Sequence, residues 1–108
     1  MAVTVENSGT QTASINTEHS LHTDADAKVF QSFVDLSNMA SGDILQVYVY
    51  VMPKGSSTRR LAFFAEYYDA PTEKVAVSPP VASAFSYELA IKQTAGTGRN
   101  FDWSVVSV

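Results

Sequence analysis

The feature that most constrains this chain is an alternation in residues 45–52. Leu45, Val47, Val49 and Val51 are interleaved with Gln46, Tyr48, Tyr50 and Met52. A period of two puts an aliphatic row on one face and an aromatic, amphipathic row on the other, as in a β-strand with one face in a core and the other partly covered. Pro53-Lys54-Gly55-Ser56-Ser57 then breaks the pattern and reads as a hairpin connection. The period returns with Leu61, Phe63, Ala65 and Tyr67 set against Arg60, Ala62, Phe64, Glu66 and Tyr68. It returns again with Phe85, Tyr87, Leu89 and Ile91, and once more with Phe101, Trp103 and Val105. Shorter strands fit residues 29–36, with Phe30, Val34 and Leu36 inward, and residues 74–77. A single helical turn fits residues 36–40, and Gly42 suits a positive φ. Ser78-Pro79-Pro80 predicts a stiff, extended crossover. Turn signals about every 8–12 residues predict an all-β fold. The expected architecture is a single antiparallel β-sandwich, jelly-roll-like, with seven or eight short strands and no long helix.

Composition narrows the function classes. A chain of 108 residues makes one domain. Surface scaling gives a folded area of roughly 5,900 Å², about a third of the unfolded value, enough for a core without staples. With no cysteine there is neither a disulfide framework nor a thiolate metal site. A net charge of −4 argues against a phosphate-neutralising nucleic-acid binder. No apolar run approaches the ~20 residues that span a bilayer, so no membrane partner is expected. The opening Met-Ala-Val-Thr-Val-Glu has neither a basic flank nor an apolar stretch, so no signal peptide is expected and synthesis in a cytoplasm is. The charge is unevenly spread. Residues 1–43 hold six acids and one base, while residues 44–108 hold five acids and six bases. Residues 1–27 accordingly read as an irregular, acidic, Thr/Ser-rich arm ordered on binding, ahead of a β-sandwich core at 28–108. Removal of residues 2–17 would then leave the fold intact.

The most site-like cluster is Glu18-His19-Ser20-Leu21-His22-Thr23-Asp24-Ala25-Asp26. Its imidazoles and carboxylates are of metal-ligating type, which makes His19 and His22 weak metal candidates. On a regular strand, however, positions 19 and 22 face opposite ways, and a polar loop is the simpler reading. Gly96-Thr97-Gly98-Arg99 lacks the Gly-Lys-Ser/Thr of a phosphate loop and sits between strands, so it reads as a hairpin loop whose glycines supply positive φ. No Gly-x-Ser-x-Gly elbow accompanies the many Ser and Thr residues, and no carboxylate pair stands out, so no enzymatic role, catalytic residue or cofactor is expected. What remains is surface. Arg59 and Arg60, with Lys54 nearby, serve as edge-strand guards, as protein-interface anchors or, with the neighbouring Tyr and Phe, as a sugar or nucleic-acid surface, and the edge-guard reading is the simplest. Tyr48, Tyr50 and Tyr68, opposite the aliphatic rows, form either cross-strand pairs or an interface. Pro79 and Pro80 are further contact candidates.

The run Leu89-Ala90-Ile91-Lys92-Gln93-Thr94-Ala95-Gly96-Thr97-Gly98-Arg99-Asn100-Phe101-Asp102-Trp103 resembles the ending of a group of short tailed-bacteriophage proteins. The opening Val3-Thr4-Val5-Glu6-Asn7-Ser8-Gly9-Thr10, Glu18-His19, Gly42-Asp43 and Ala65-Glu66-Tyr67 are similar to their front and middle. The resemblance implies a small all-β virion protein of the capsid decoration, or cement, type. It would bind the major capsid protein on the outer surface of the head, commonly as a homotrimer, with no catalytic residues to carry over. The first alternative is a carbohydrate- or receptor-binding module of a tail or head fibre, using Tyr48, Tyr50, Tyr68 or Trp103, although Trp103 alternates with Phe101 and Val105 and reads as core; the second is a metal-dependent enzyme using His19 and His22.

Overall fold

The computed structural model describes residues 3–108. Nine strands fill it: β1 (Thr4–Thr12), β2 (Glu18–Asp24), β3 (Lys28–Asp35), β4 (Ile44–Val51), β5 (Arg60–Tyr68), β6 (Val75–Val77), β7 (Val81–Ser83), β8 (Tyr87–Ala95) and β9 (Asn100–Ser107). Among the described residues there is no helix. Residues 36–39 instead make one turn, closed by the Met39 N–H on the Leu36 carbonyl at 3.0 Å.

The pairings are nested. β1 pairs with β9, β2 with β8, β3 with β6 and β7, and β4 with β5, all antiparallel. The chain is thus one long hairpin with its apex at the β4–β5 connection. Two further pairings, β3 with β9 and β4 with β8, roll that hairpin into sheets of order β1-β9-β3-β6, with β7 also on β3, and β2-β8-β4-β5. This is the jelly-roll order. Between the sheets lie Phe30, Leu36, Leu45, Tyr87, Leu89 and Phe101, each fully buried. Phe30 stacks on Tyr87 at 4.6 Å, and the Tyr87 hydroxyl is satisfied by Ser32. The folded surface, 5593 Å², is close to the scaling expectation.

Four sequence expectations change. The supposed arm at 1–27 is two edge strands, one on each sheet (residues 1 and 2 lie outside the described residues). Edge strands bury few side chains, so their alternation is weak and they read as irregular. Glu6 of this acidic segment is matched internally by Lys28, at 2.9 Å. The Ser78-Pro79-Pro80 segment is no crossover. β6 and β7 both lie along β3, with Phe33 opposite Val77 and Phe30 opposite Val81, so the prolines insert one extra residue into a single edge and raise the strand count to nine. Proline is tolerated there because an edge has a flank that needs no donor. Ser78 holds the gap, donating its N–H to the Ser32 carbonyl and accepting the Ser32 N–H on its hydroxyl. At the start of β5 a bulge leaves Ala62 unpaired and reverses the expected facing. Leu61 falls opposite Tyr50 on the outer face, and Arg60 opposite Val51 on the core side. Finally, of the two glycines in Gly96-Thr97-Gly98 only Gly96 has a positive φ, +88°, while Gly42 takes the positive φ expected of it, +91°.

Candidate interaction surfaces

The outer face of the β2-β8-β4-β5 sheet gathers the aromatic row. Tyr48 and Tyr50 stand parallel with centroids 5.9 Å apart, and Phe64 meets Tyr48 edge-on at 5.3 Å. Phe64 is 46% exposed, Leu61 51% and Tyr68 55%. Polar groups fill the gaps. Arg59 lies 4.5 Å over the Tyr50 ring and is ion-paired with Glu88. The Gln46 amide donates to Glu66 at 2.8 Å, and the Tyr68 hydroxyl donates to Glu66 as well. Those two bonds, Tyr68 first, hold the Glu66 carboxyl below its ordinary pKa. Desolvation, and then the nearby Glu18 carboxylate, push the Tyr50 phenol upward. The two arginines are separated, Arg59 lying just before β5 and Arg60 opening it. Arg59 belongs to this face, while Arg60 does not.

His19 and His22 are not brought to one centre. The bulge at Leu21 cancels their expected opposition, and both reach towards β1 or the turn after it. His19 Nε2 accepts the Ser14 N–H at 3.1 Å, and its Nδ1 lies 3.3 Å from the Gln11 amide. His22 Nδ1 lies 3.3 Å from the Asn7 amide, and its Nε2 is 3.3 Å from Asp24. Both rings therefore tie β2 to β1, the edge strand of the other sheet. The carboxylates that do converge are Glu6, Asp24 and Asp26. The Lys28 ammonium contacts two of them, Glu6 at 2.9 Å and Asp26 at 3.8 Å, so the cluster carries its own cation. Hydrogen bonds from Ser107 and then Lys28 lower the pKa of Glu6.

The segment Gln93–Asn100 is a fastener. Gln93 is fully buried. Its amide donates to the carbonyls of Ala95 at 3.0 Å and Thr97 at 2.7 Å, and its oxygen accepts the Arg99 N–H at 3.1 Å. Arg99 Nε then reaches Asp43 at 2.8 Å, across 56 residues of sequence. Asp43, 1% exposed, also accepts the Ala40 N–H at 2.9 Å and the Thr97 N–H at 3.2 Å. Burial opposes its ionisation, but these donors outweigh it and hold the carboxyl below its ordinary pKa. A Cβ on Gly96 would sit 1.9 Å from Asp43 Oδ1, and one on Gly98 2.4 Å from the Ala13 carbonyl oxygen. The glycines are there for close approach to their own chain, which leaves no cradle for an anion.

The outer face of the β1-β9-β3-β6 sheet is the surface that sequence reading missed. Val5, Val29, Val75 and Val77 are all at least 38% exposed there. Between β6, β3 and β9 lies an open dish of about 230 Å³ lined by Phe33, Val75, Asp35, Asp102, Trp103 and Ser104. Phe33 and Asp35 are out of phase with the inward Phe30 and Val34, and that phase is the signal for it. Pro79 and Pro80 are exposed on the same edge. Trp103 packs half-buried against the core and over Gly9, so it is not an exposed platform.

No family model, curated protein or solved structure matches this chain.

Proposed function

We propose that the chain is a structural virion protein, a decoration (cement) protein that binds the major capsid protein on the outer surface of a tailed-phage head and stabilises the shell, associating with further copies of itself as a homotrimer. The observation that carries this reading is the exposure of apolar side chains on both outer faces of one rigid jelly roll. Val75 and Val77 lie on one face, and Leu61, Phe64 and Tyr68 on the other. A piece that joins a shell on one side and a neighbour on the other needs two such faces. The likeness of its C-terminal segment to short tailed-phage proteins supports the same reading. The test is co-sedimentation of the purified chain with heads stripped of it. Binding at a stoichiometry that matches the capsid lattice is expected, and its loss in a Val75→Lys/Val77→Lys or a Phe64→Lys/Tyr68→Lys variant. Binding at only a few sites per head would overturn the reading.

A second reading, a glycan-binding module of a tail or head fibre, draws on Tyr48, Tyr50 and the adjoining Glu18, Gln46 and Glu66. The geometry favours it less. Tyr48 and Tyr50 turn their ring faces to each other, and Arg59 lies over the Tyr50 ring, so stacking area for a sugar is limited. A glycan array run with the wild-type chain and Tyr50→Ala separates the two, since only the glycan reading expects a signal that the substitution removes.

A further inference from the structure

The dish on the β1-β9-β3-β6 sheet has an unusual charge arrangement. Val34 lies opposite Trp103 in the β3–β9 ladder, so the next residues outward, Asp35 and Asp102, follow as neighbours on adjacent strands. Both line the dish. Like charges placed opposite one another on a sheet destabilise it unless a cation joins them. Among the described residues neither carboxylate has a basic partner within 4.0 Å. Among the described residues their hydrogen-bond partners are uncharged: the Ser37 N–H on Asp35 at 2.8 Å and the Thr10 hydroxyl on Asp102 at 2.5 Å. The contrast with Glu6, Asp24 and Asp26 is direct, because Lys28 sits in that cluster. The floor beside the Asp pair is apolar, with Phe33 half-buried and Val75 46% exposed.

We propose that this dish seats an arginine side chain of a partner protein, its stem against Phe33 and Val75 and its guanidinium bridging Asp35 and Asp102. Arginine fits better than lysine. Its planar fork offers donors to two carboxylates at once, and its weaker hydration lets it lie on an aromatic ring. Exposed Val77 extends the apolar area along β6, so residues flanking the arginine also find cover. The partner's identity as a shell protein rests on the decoration reading, whereas the chemistry of the dish does not.

The test is a titration of the full-length, isotope-labelled chain with N-acetyl-arginine amide, followed by backbone and indole NMR shifts. N-acetyl-citrulline amide, the same shape without the charge, is the comparison. Saturable shifts centred on Phe33, Asp35, Asp102 and Trp103 are expected, with the citrulline probe weaker by about tenfold or more. An Asp35→Asn/Asp102→Asn variant keeps an oxygen to accept from Ser37 and Thr10, so it should retain the fold and lose the arginine response. Equal response to both probes, shifts centred on the tyrosine face or on Glu6 and Asp24, or an undiminished response in the double variant would each overturn the proposal. The probe comparison on the unmodified chain decides the matter even if the variant does not fold. No capsid enters this experiment, so its failure leaves the decoration reading standing. Wild-type heads that bind the double variant undiminished would likewise sink the dish alone.

Discussion

Gln93→Leu isolates the fastener that joins the β8–β9 loop to the body. Leucine is close to glutamine in volume and stays at home in a fully buried position, so the change adds little cavity or overpacking cost. What it removes is three hydrogen bonds, leaving the carbonyls of Ala95 and Thr97 and the N–H of Arg99 without their partner. A buried group left unpaired costs about 1–3 kcal/mol. Thr97 is exposed and Ala95 and Arg99 are half-buried, so water recovers part of that, and about 1 kcal/mol each is the appropriate end of the range. The sum is about 3 kcal/mol. For 108 residues the unfolding entropy near the midpoint is about 230 cal/mol/K, so each kcal/mol moves Tm by about 4 °C. A fall of about 12 °C follows, with an unchanged urea m-value because the native surface is unaltered. Thermal melts by circular dichroism and urea titration measure both. A loss below about 1 kcal/mol would show that Gln93 merely occupies space and would refute the fastener argument.

Three further outcomes follow from the same geometry. Gly96→Ala should cost more than about 2 kcal/mol in urea unfolding, since its Cβ meets Asp43 and its φ of +88° disfavours any side chain; near-neutral stability would contradict the close approach. Asp43 has a lowered folded pKa, so its stabilisation is fully present above the ordinary aspartate value of 3.8 and is lost as pH falls through the lower folded value. Asp43→Asn should therefore be less stable than wild type at pH 7, and the gap should close in acid; a gap that is constant from pH 7 to pH 2 would refute that assignment. Deletion of residues 2–17 should abolish the cooperative fold rather than free a tail, because β1 supplies a whole edge to β9; a dispersed, native-like NMR spectrum from the truncation would show that β1 is dispensable.

The parts of this fold that are legible in the sequence are those that bury a full row of side chains. β4, β8 and β9 alternate cleanly because each has a strand on both flanks and a core beneath. β1 and β2 are edges, and apart from Leu21 their few inward groups, among them Glu6, Gln11 and His19, are polar, so residues 1–27 carry little apolar alternation to announce a strand. The bulges at Leu21 and Ala62 are equally silent, yet they decide which way His22, Arg60 and Leu61 point. Jelly-roll order lies beyond periodicity altogether, because it depends on which strands pair and not on where they are. The same limit governs the surfaces. Tyr48, Tyr50 and Phe64 come from neighbouring strands of one hairpin and can be grouped by phase alone. Asp35 and Asp102 become neighbours only through the β3–β9 pairing, which joins segments 67 residues apart in number (102 − 35). The Gln93–Asn100 loop shows the converse, a segment with two glycines and a basic residue close together in sequence whose residues spend their chemistry on holding the chain together.

On the proposed reading this jelly roll works through its two outer faces as a repeated part of a phage head. Cryo-electron microscopy of virions carrying the chain tests it most directly, by locating and counting the copies. Density for the fold is expected at every equivalent lattice position on the outer shell, with the β6 edge or the tyrosine face against a neighbouring protein. A few copies at a single vertex, or none on the shell, would contradict it.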